Sequence, residues 1–145
     1  MRYDRERIAR VLLDIDRYLE DLHLLAISTE EDLEDRRNYY ALSMVLFSLL
    51  DATIDLADEI VAARDLGMPS TYREIFAMLY RGTIIEKDLF DAMSVLVSYR
   101  NRLAHEYGQI TPADLLKILA MTGDIRRFTV TAKALVRADP SAGFP

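Results

Sequence analysis

Ten consecutive residues, from Tyr99 to Gly108, bring together several side-chain types that could do chemistry. They include two arginines, an asparagine, a histidine and two tyrosines: Tyr99, Arg100, Asn101, Arg102, His105 and Tyr107. A histidine can both accept and donate a proton near neutral pH, and an arginine offers phosphate oxygens a planar set of N–H donors. Arg100 and His105 together are therefore the minimum for cleaving an RNA phosphodiester without a metal.

The spacing of these residues leaves a second interpretation open. Five residues of regular helix place Arg100 and His105 about 140° apart, so Arg100 must reach around the helix or the helix must loosen before His105. Asn101 shares a face with His105 and could fix its tautomer through a hydrogen bond. Alternatively, His105 merely caps a helix C-terminus, where a cation is favoured, while the arginines pair with Glu106 or Asp114.

Composition and charge limit the classes of protein that this chain could be. Its 145 residues suffice for one domain, and the absence of cysteine excludes disulfides, thiolate nucleophiles and cysteine-based zinc sites. The charged start, from Met1 to Arg7, is unlike a signal peptide, so we expect a cytoplasmic protein. The net charge of −6 argues against a general nucleic-acid coat protein but leaves room for a small basic site, in which Arg102 could also bind phosphate.

Helical periodicity runs through the whole chain and predicts an all-α fold. We expect five helices, at about residues 3–27, 31–66, 71–81, 86–103 and 112–137, with a break in the last near residues 122–123. Gly67 and Gly82 suit helix ends, Thr71 and Glu74 suggest a capping box, and Thr111 precedes a proline at a helix start. Short loops between such helices favour one antiparallel bundle over residues 1–145, with a frayed tail at 138–145.

The second predicted helix carries acids four and three residues apart: Asp51, Asp55 and Asp58. Like charges at these spacings repel, so the acids on this face need an explanation, such as a positively charged partner. Asp51, set among leucines, could pair with Arg100 or Arg102 across the bundle and position the guanidinium, whereas Asp58 and Glu59 fit a solvated stripe. We expect no metal site, because no histidine accompanies the acids at ligand spacing, and no membrane span, because the acids interrupt the apolar run.

The string Tyr-Arg-Asn-Arg-Leu-Ala-His-Glu-Tyr at residues 99–107 resembles the Arg-Asn-x3-His-x-Tyr signature of HepT-like proteins in the HEPN superfamily. The segment at 51–60 resembles the second helix of that family. Residues 67–76 resemble its next connector and helix, and the link from Met78 to Leu89 is also similar. The resemblance covers about residues 3 to 120.

This resemblance implies a helical bundle that dimerises and brings two motifs together in a cleft. Many HepT-like proteins are metal-independent endoribonuclease toxins, without a cofactor, encoded beside an MNT-type nucleotidyltransferase antitoxin. Arg100 and His105 match the catalytic pair, Asn101 matches the supporting polar residue, and Tyr107 matches the tyrosine that the partner can modify with AMP. Tyr107 could also be an ordinary half-buried aromatic residue at a helix end. The alternative function is a non-catalytic HEPN module that binds nucleotides or RNA, or serves a nucleotidyltransferase.

Overall fold

The structure, a computed structural model, describes residues 2–105 and 109–139. Six α-helices follow one another along these residues: α1 (Arg5–Leu25), α2 (Arg36–Ala63), α3 (Tyr72–Arg81), α4 (Lys87–His105), α5 (Pro112–Ala120) and α6 (Thr122–Ala138). A short 3-10 helix, Glu31–Glu34, precedes α2. No strand is present in the described part of the chain. The predicted all-α bundle is confirmed.

Helix α2 lies at the centre of the bundle and packs against all the other helices. Twelve of its 28 residues are buried, and apolar side chains dominate them. By length and composition alone α2 could cross a membrane, but the core helix of a soluble protein passes the same test. Here eleven apolar residues of α2 are buried against the surrounding helices, so α2 is the central helix on which the others pack.

The predicted helix at residues 31–66 is shorter than expected at both ends. Asp35 interrupts it as the N-cap of α2, with its carboxylate accepting a hydrogen bond from the backbone N–H of Arg37. At the other end, Asp65 adopts the left-handed conformation, with a φ of 52°. The N–H of Leu66 then donates to the carbonyl of Val61, which completes a Schellman motif. Asp65, rather than the expected Gly67, therefore ends α2.

Helix α3 begins and ends with variations on the expected motifs. The Thr71 hydroxyl accepts from the N–H of Glu74, as predicted, but the Glu74 carboxylate bonds the N–H and hydroxyl of Ser70 instead of returning to Thr71. At the C-terminus Gly82 has an ordinary φ of −79°, and Thr83 takes the left-handed position instead. The two ends fix where Tyr72, the first residue of α3, lies.

The last predicted helix is two helices, as the break near residues 122–123 suggested. Met121 separates α5 from α6, and Thr111 and Asp114 form a reciprocal capping box at the start of α5. Phe128 of α6 meets Phe76 of α3 edge to face, with ring centroids 5.7 Å apart, which joins α3 and α6 through the core. Of the tail predicted to be frayed, residues 140–145 lie outside the described chain, and Asp139 is buried.

Candidate functional site

Arg100 is held by contacts from three helices. Its Nε donates to Asp51 Oδ1 of α2 at 2.7 Å, and its Nη1 lies 3.4 Å from Asn101 Oδ1 on its own helix. The guanidinium carbon is 4.7 Å from the ring centroid of Tyr72 in α3 and 5.2 Å from that of Phe47 in α2. Both distances are within the range of a cation–π contact. Only 13% of the side chain is exposed, so the plane of the guanidinium is fixed.

The local sequence explains this arrangement on α2. Phe47 and Asp51 are one helical turn apart and therefore share a face, so the ring and the carboxylate reach Arg100 together. The pairing of Asp51 with Arg100 that the acidic stripe suggested is present. Arg100 Nη2 makes no hydrogen bond to the rest of the described chain, which leaves donors for a ligand.

His105 is the last residue of α4, and its side chain is exposed. No hydrogen bond joins it to any residue in 2–105 or 109–139, including Asn101, so the suggested bond between Asn101 and His105 is absent. Helix α4 is continuous to His105, so of the two alternatives the helix does not loosen before this residue. A regular helix places His105 about 140° around and about 7.5 Å along the axis from Arg100. One chain therefore presents the two groups in different directions.

Arg102 has a different environment, as the structural alternative for the arginines anticipated. Its Nη2 donates to Asp114 Oδ2 at 2.9 Å, and the same carboxylate accepts the N–H of Thr111 in the capping box of α5. The Thr111 hydroxyl, the largest cause, together with its N–H and Arg102, holds the pKa of the Asp114 carboxyl below its usual range. Arg102 therefore joins α4 to α5.

The connection between α4 and α5 is also attached to the start of α2. The Tyr39 hydroxyl donates to the carbonyl of Ile110 at 2.5 Å, and Ile110 itself is buried. Residues 106–108 lie outside the described residues, and so do two of the expectations: the alternative pairing of an arginine with Glu106 and the modification of Tyr107.

The remaining acids of α2 separate into two kinds. Glu59 pairs with Arg7 of α1, so its assignment to a solvated stripe was wrong, whereas Asp58 is exposed as expected. Partial desolvation raises the pKa of the Asp55 carboxyl although the residue is exposed, and the neighbouring Asp51 and Asp58 raise it further, against opposing effects of Arg7 and Arg100. Within the described residues, no group of three or more histidine or acidic side chains could hold a metal ion.

Two residues that contact Arg100, Phe47 and Tyr72, were missed by the sequence analysis. Phe47 could have been found, because it lies one turn before Asp51 on the same helix. Tyr72 gave no signal, because its contact with Arg100 depends on how α3 packs against α4. Together these contacts make the Arg100 guanidinium a rigid cation with free donors, which suits binding of a phosphate whose charge increases during a reaction.

The fold and this motif have counterparts among known proteins. The model of the family described as ribonuclease HepT-like matches residues 15–132. The mRNA nuclease HepT of Shewanella oneidensis is 32% identical over 60 residues, which cover 41% of this chain and 45% of that protein. The matched segment thus spans less than half the length of that relative.

Solved structures extend the likeness over nearly the whole fold. The cytosolic protein YutE of Bacillus subtilis superposes with a TM-score of 0.82 at 17% identity, over 99% of this chain and 96% of that one. The tri-AMPylated HEPN toxin of Shewanella oneidensis, in complex with its MNT antitoxin, superposes with a TM-score of 0.81 at 22% identity, over 88% and 97%. At these identities the likeness concerns the fold. The family match covers most of the sequence, and this chain therefore belongs to the ribonuclease HepT-like family.

Proposed function

We propose that this chain is a cytoplasmic, metal-independent endoribonuclease and the toxin of a type II toxin–antitoxin pair. The observation that carries the proposal is the fixed guanidinium of Arg100, which has N–H donors free to bind a ligand. An exposed histidine, His105, lies on the same helix. Family membership supports the reaction class. The relative named mRNA nuclease HepT supports RNA as the substrate.

In the proposed reaction, Arg100 binds the scissile phosphate and stabilises the negative charge that develops on it. His105 removes the proton of the 2′-hydroxyl or protonates the leaving oxygen, and Asn101 and Asp51 position Arg100. One histidine cannot easily do both proton transfers. Because α4 directs Arg100 and His105 to different sides, a second copy of the chain would supply the complementary histidine.

A homodimer is therefore part of the proposal. Tyr40 and Met44, one turn apart on α2, are 52% and 64% exposed. They continue the face that carries Phe47 and Asp51, so a partner covering them would lie beside Arg100. Burial of these apolar side chains would bring two sites close together.

We further propose that an MNT-type nucleotidyltransferase is the antitoxin and that it adds AMP to Tyr107. The structural neighbour from Shewanella oneidensis is an AMPylated toxin bound to an MNT antitoxin, which supports this partner. Phosphate groups attached two residues after His105 would compete with RNA phosphate for the basic site. Modification would thus silence the nuclease without unfolding it.

Expression of the wild-type chain and of His105→Ala tests the nuclease function. We expect the wild type to arrest growth and cleave RNA, and the variant to lose at least a hundredfold in cleavage rate, because general acid–base catalysis contributes about 10²–10⁴-fold. Since His105 is exposed and makes no hydrogen bond in the described chain, the thermal midpoint should be unchanged. If both proteins are equally harmless and equally inert on RNA, the nuclease proposal is wrong.

The second candidate is a non-catalytic HEPN module that binds a nucleotidyltransferase. Two observations favour it: the net charge of −6 and the small exposed fraction, 13%, of the Arg100 side chain. A binding module would form its complex equally well with or without His105 and would not cleave RNA in either form. Purified wild type incubated with RNA, in the absence of any partner, distinguishes the two candidates.

A further inference from the structure

A cavity of about 480 Å³ lies between α2, α4 and the start of α3 and has no role in the reaction described above. Its lining includes Asp58 of α2, Asn101 of α4, and Ser70, Thr71 and Tyr72 at the start of α3. A volume of this size is within the range of small-molecule sites in proteins. Tyr72 and Asn101 both line the cavity and both contact Arg100, so the cavity and the proposed phosphate site share two residues.

The polar groups that line this cavity suit a nucleobase better than a second phosphate. The Asp58 carboxylate is exposed and has no hydrogen bond or ion pair with the rest of the described chain. A carboxylate repels phosphate but accepts two N–H groups at once. Asn101 accepts from Arg100 through Oδ1, which directs its two amide N–H donors elsewhere.

Tyr72 supplies the apolar surface that a base requires. The residue is 39% exposed, although the guanidinium of Arg100 lies 4.7 Å from its ring centroid. Bases of single-stranded RNA stack on aromatic rings of this kind and are read along their Watson–Crick edges. A ring, a free carboxylate and a free amide are therefore present together, next to a cation.

We propose that this cavity is the subsite for a base adjacent to the scissile phosphate, and that it prefers guanine. Guanine presents two neighbouring donors, N1–H and the N2 amino group, which match the two oxygens of Asp58. Its O6 acceptor lies next to them and can receive an N–H from Asn101. Uracil offers one such donor, and adenine and cytosine offer only an exocyclic amine. This inference rests on the proposed ribonuclease function, because it assigns the adjacent phosphate to Arg100.

Binding of the four nucleoside 3′-monophosphates to the full chain tests the subsite without requiring cleavage. Isothermal titration should give guanosine 3′-monophosphate a dissociation constant about tenfold lower than those of the adenosine, cytidine and uridine compounds, in line with one bidentate contact. Asp58→Asn replaces one acceptor oxygen with a donor and should abolish the preference. Equal affinity for all four compounds, or an unchanged preference in Asp58→Asn, would overturn the proposal.

Asp55→Asn is the matched control. Asp55 lies one turn before Asp58 on the same exposed side of α2 but does not line the cavity, and the substitution removes the same charge. It should therefore keep the guanine preference, whereas a general electrostatic effect of the acids would change both variants alike. Loss of the preference in both would contradict a specific role of Asp58.

Cleavage-site mapping on a mixed-sequence RNA separates this inference from the proposed function. RNA cleaved with no base preference would overturn the subsite and leave the nuclease function standing. Selective binding of guanosine 3′-monophosphate by a chain that cleaves no RNA would overturn the nuclease function and support the subsite. Cleavage concentrated next to guanines in the wild type, and spread over all four bases in Asp58→Asn, is the expected result.

Discussion

Arg100 and Arg102 lie two residues apart on α4, and each pairs with an acid from another helix. Asp51, the partner of Arg100, is 42% exposed and sits on a stripe with other acids, whereas Asp114, the partner of Arg102, is 15% exposed and also completes the capping box of α5. Arg100 is further held by two aromatic rings. The comparison indicates that Arg102 maintains the junction between α4 and α5, while Arg100 is oriented for a ligand.

The largest expected effect distinguishes the two arginines by activity. Arg100→Lys should lower the RNA cleavage rate by about a hundredfold, because a lysine cannot keep the Nε bond to Asp51 while presenting two further donors to phosphate. Arg102→Lys should change the rate less than about threefold, since Arg102 joins α4 to α5 through Asp114 and has no role in the proposed reaction. Single-turnover assays with the two purified variants provide the measurement. Similar losses of cleavage rate in both variants would contradict the different roles assigned to Arg100 and Arg102.

A smaller effect is expected on the stability of the fold when Asp114, which pairs with Arg102, is replaced. Asp114→Asn should cost about 1 kcal/mol at pH 7, because it weakens the capping box and removes one ion pair of Arg102. The pKa of Asp114 is lowered in the folded chain, so its ionised form stabilises the fold above the unfolded-state pKa of about 3.9. This contribution is lost as the pH falls through the lowered pKa. Urea unfolding should show a smaller difference in unfolding free energy between variant and wild type near pH 3 than at pH 7.

The smallest expected effect concerns Asp55, near Arg100, where replacing the acid should stabilise the fold instead of destabilising it. The pKa of Asp55 is raised by partial desolvation and by the acids around it, so its ionised form destabilises the fold above the unfolded-state pKa. Asp55→Asn should therefore raise the thermal midpoint slightly, by about 1–2 °C, at pH 7 and leave it unchanged in acid below that pKa. Differential scanning calorimetry at the two pH values measures this, and a lower midpoint at pH 7 would contradict the raised pKa.

Much of the fold could be predicted from sequence because its signals are local. Apolar residues every three or four positions gave the helices, and Thr111 before Pro112 gave the start of α5. The errors fell where two local signals compete. Asp65 and Thr83, not the nearby glycines, take the left-handed positions after α2 and α3, because the Schellman hydrogen bonds offset the strain of a side chain there.

The candidate site was only partly predictable for a different reason. The motif at residues 99–107 and the acid at position 51 could be identified from residue types and spacing. The contact between Tyr72 and Arg100 could not, because it depends on where the start of α3 lies against α4. The pairing of Glu59 with Arg7 likewise depends on how α1 packs against α2.

The three-helix contact of Arg100 has a consequence for how the molecule would respond to occupancy. A ligand that binds the guanidinium changes its contact with the ring of Tyr72, and therefore affects the first turn of α3. By reciprocal linkage, any ligand that binds more tightly when α3 is firmly docked must itself tighten that docking. The rate of amide hydrogen exchange near the beginning of α3 would thus report whether a ligand is bound to Arg100.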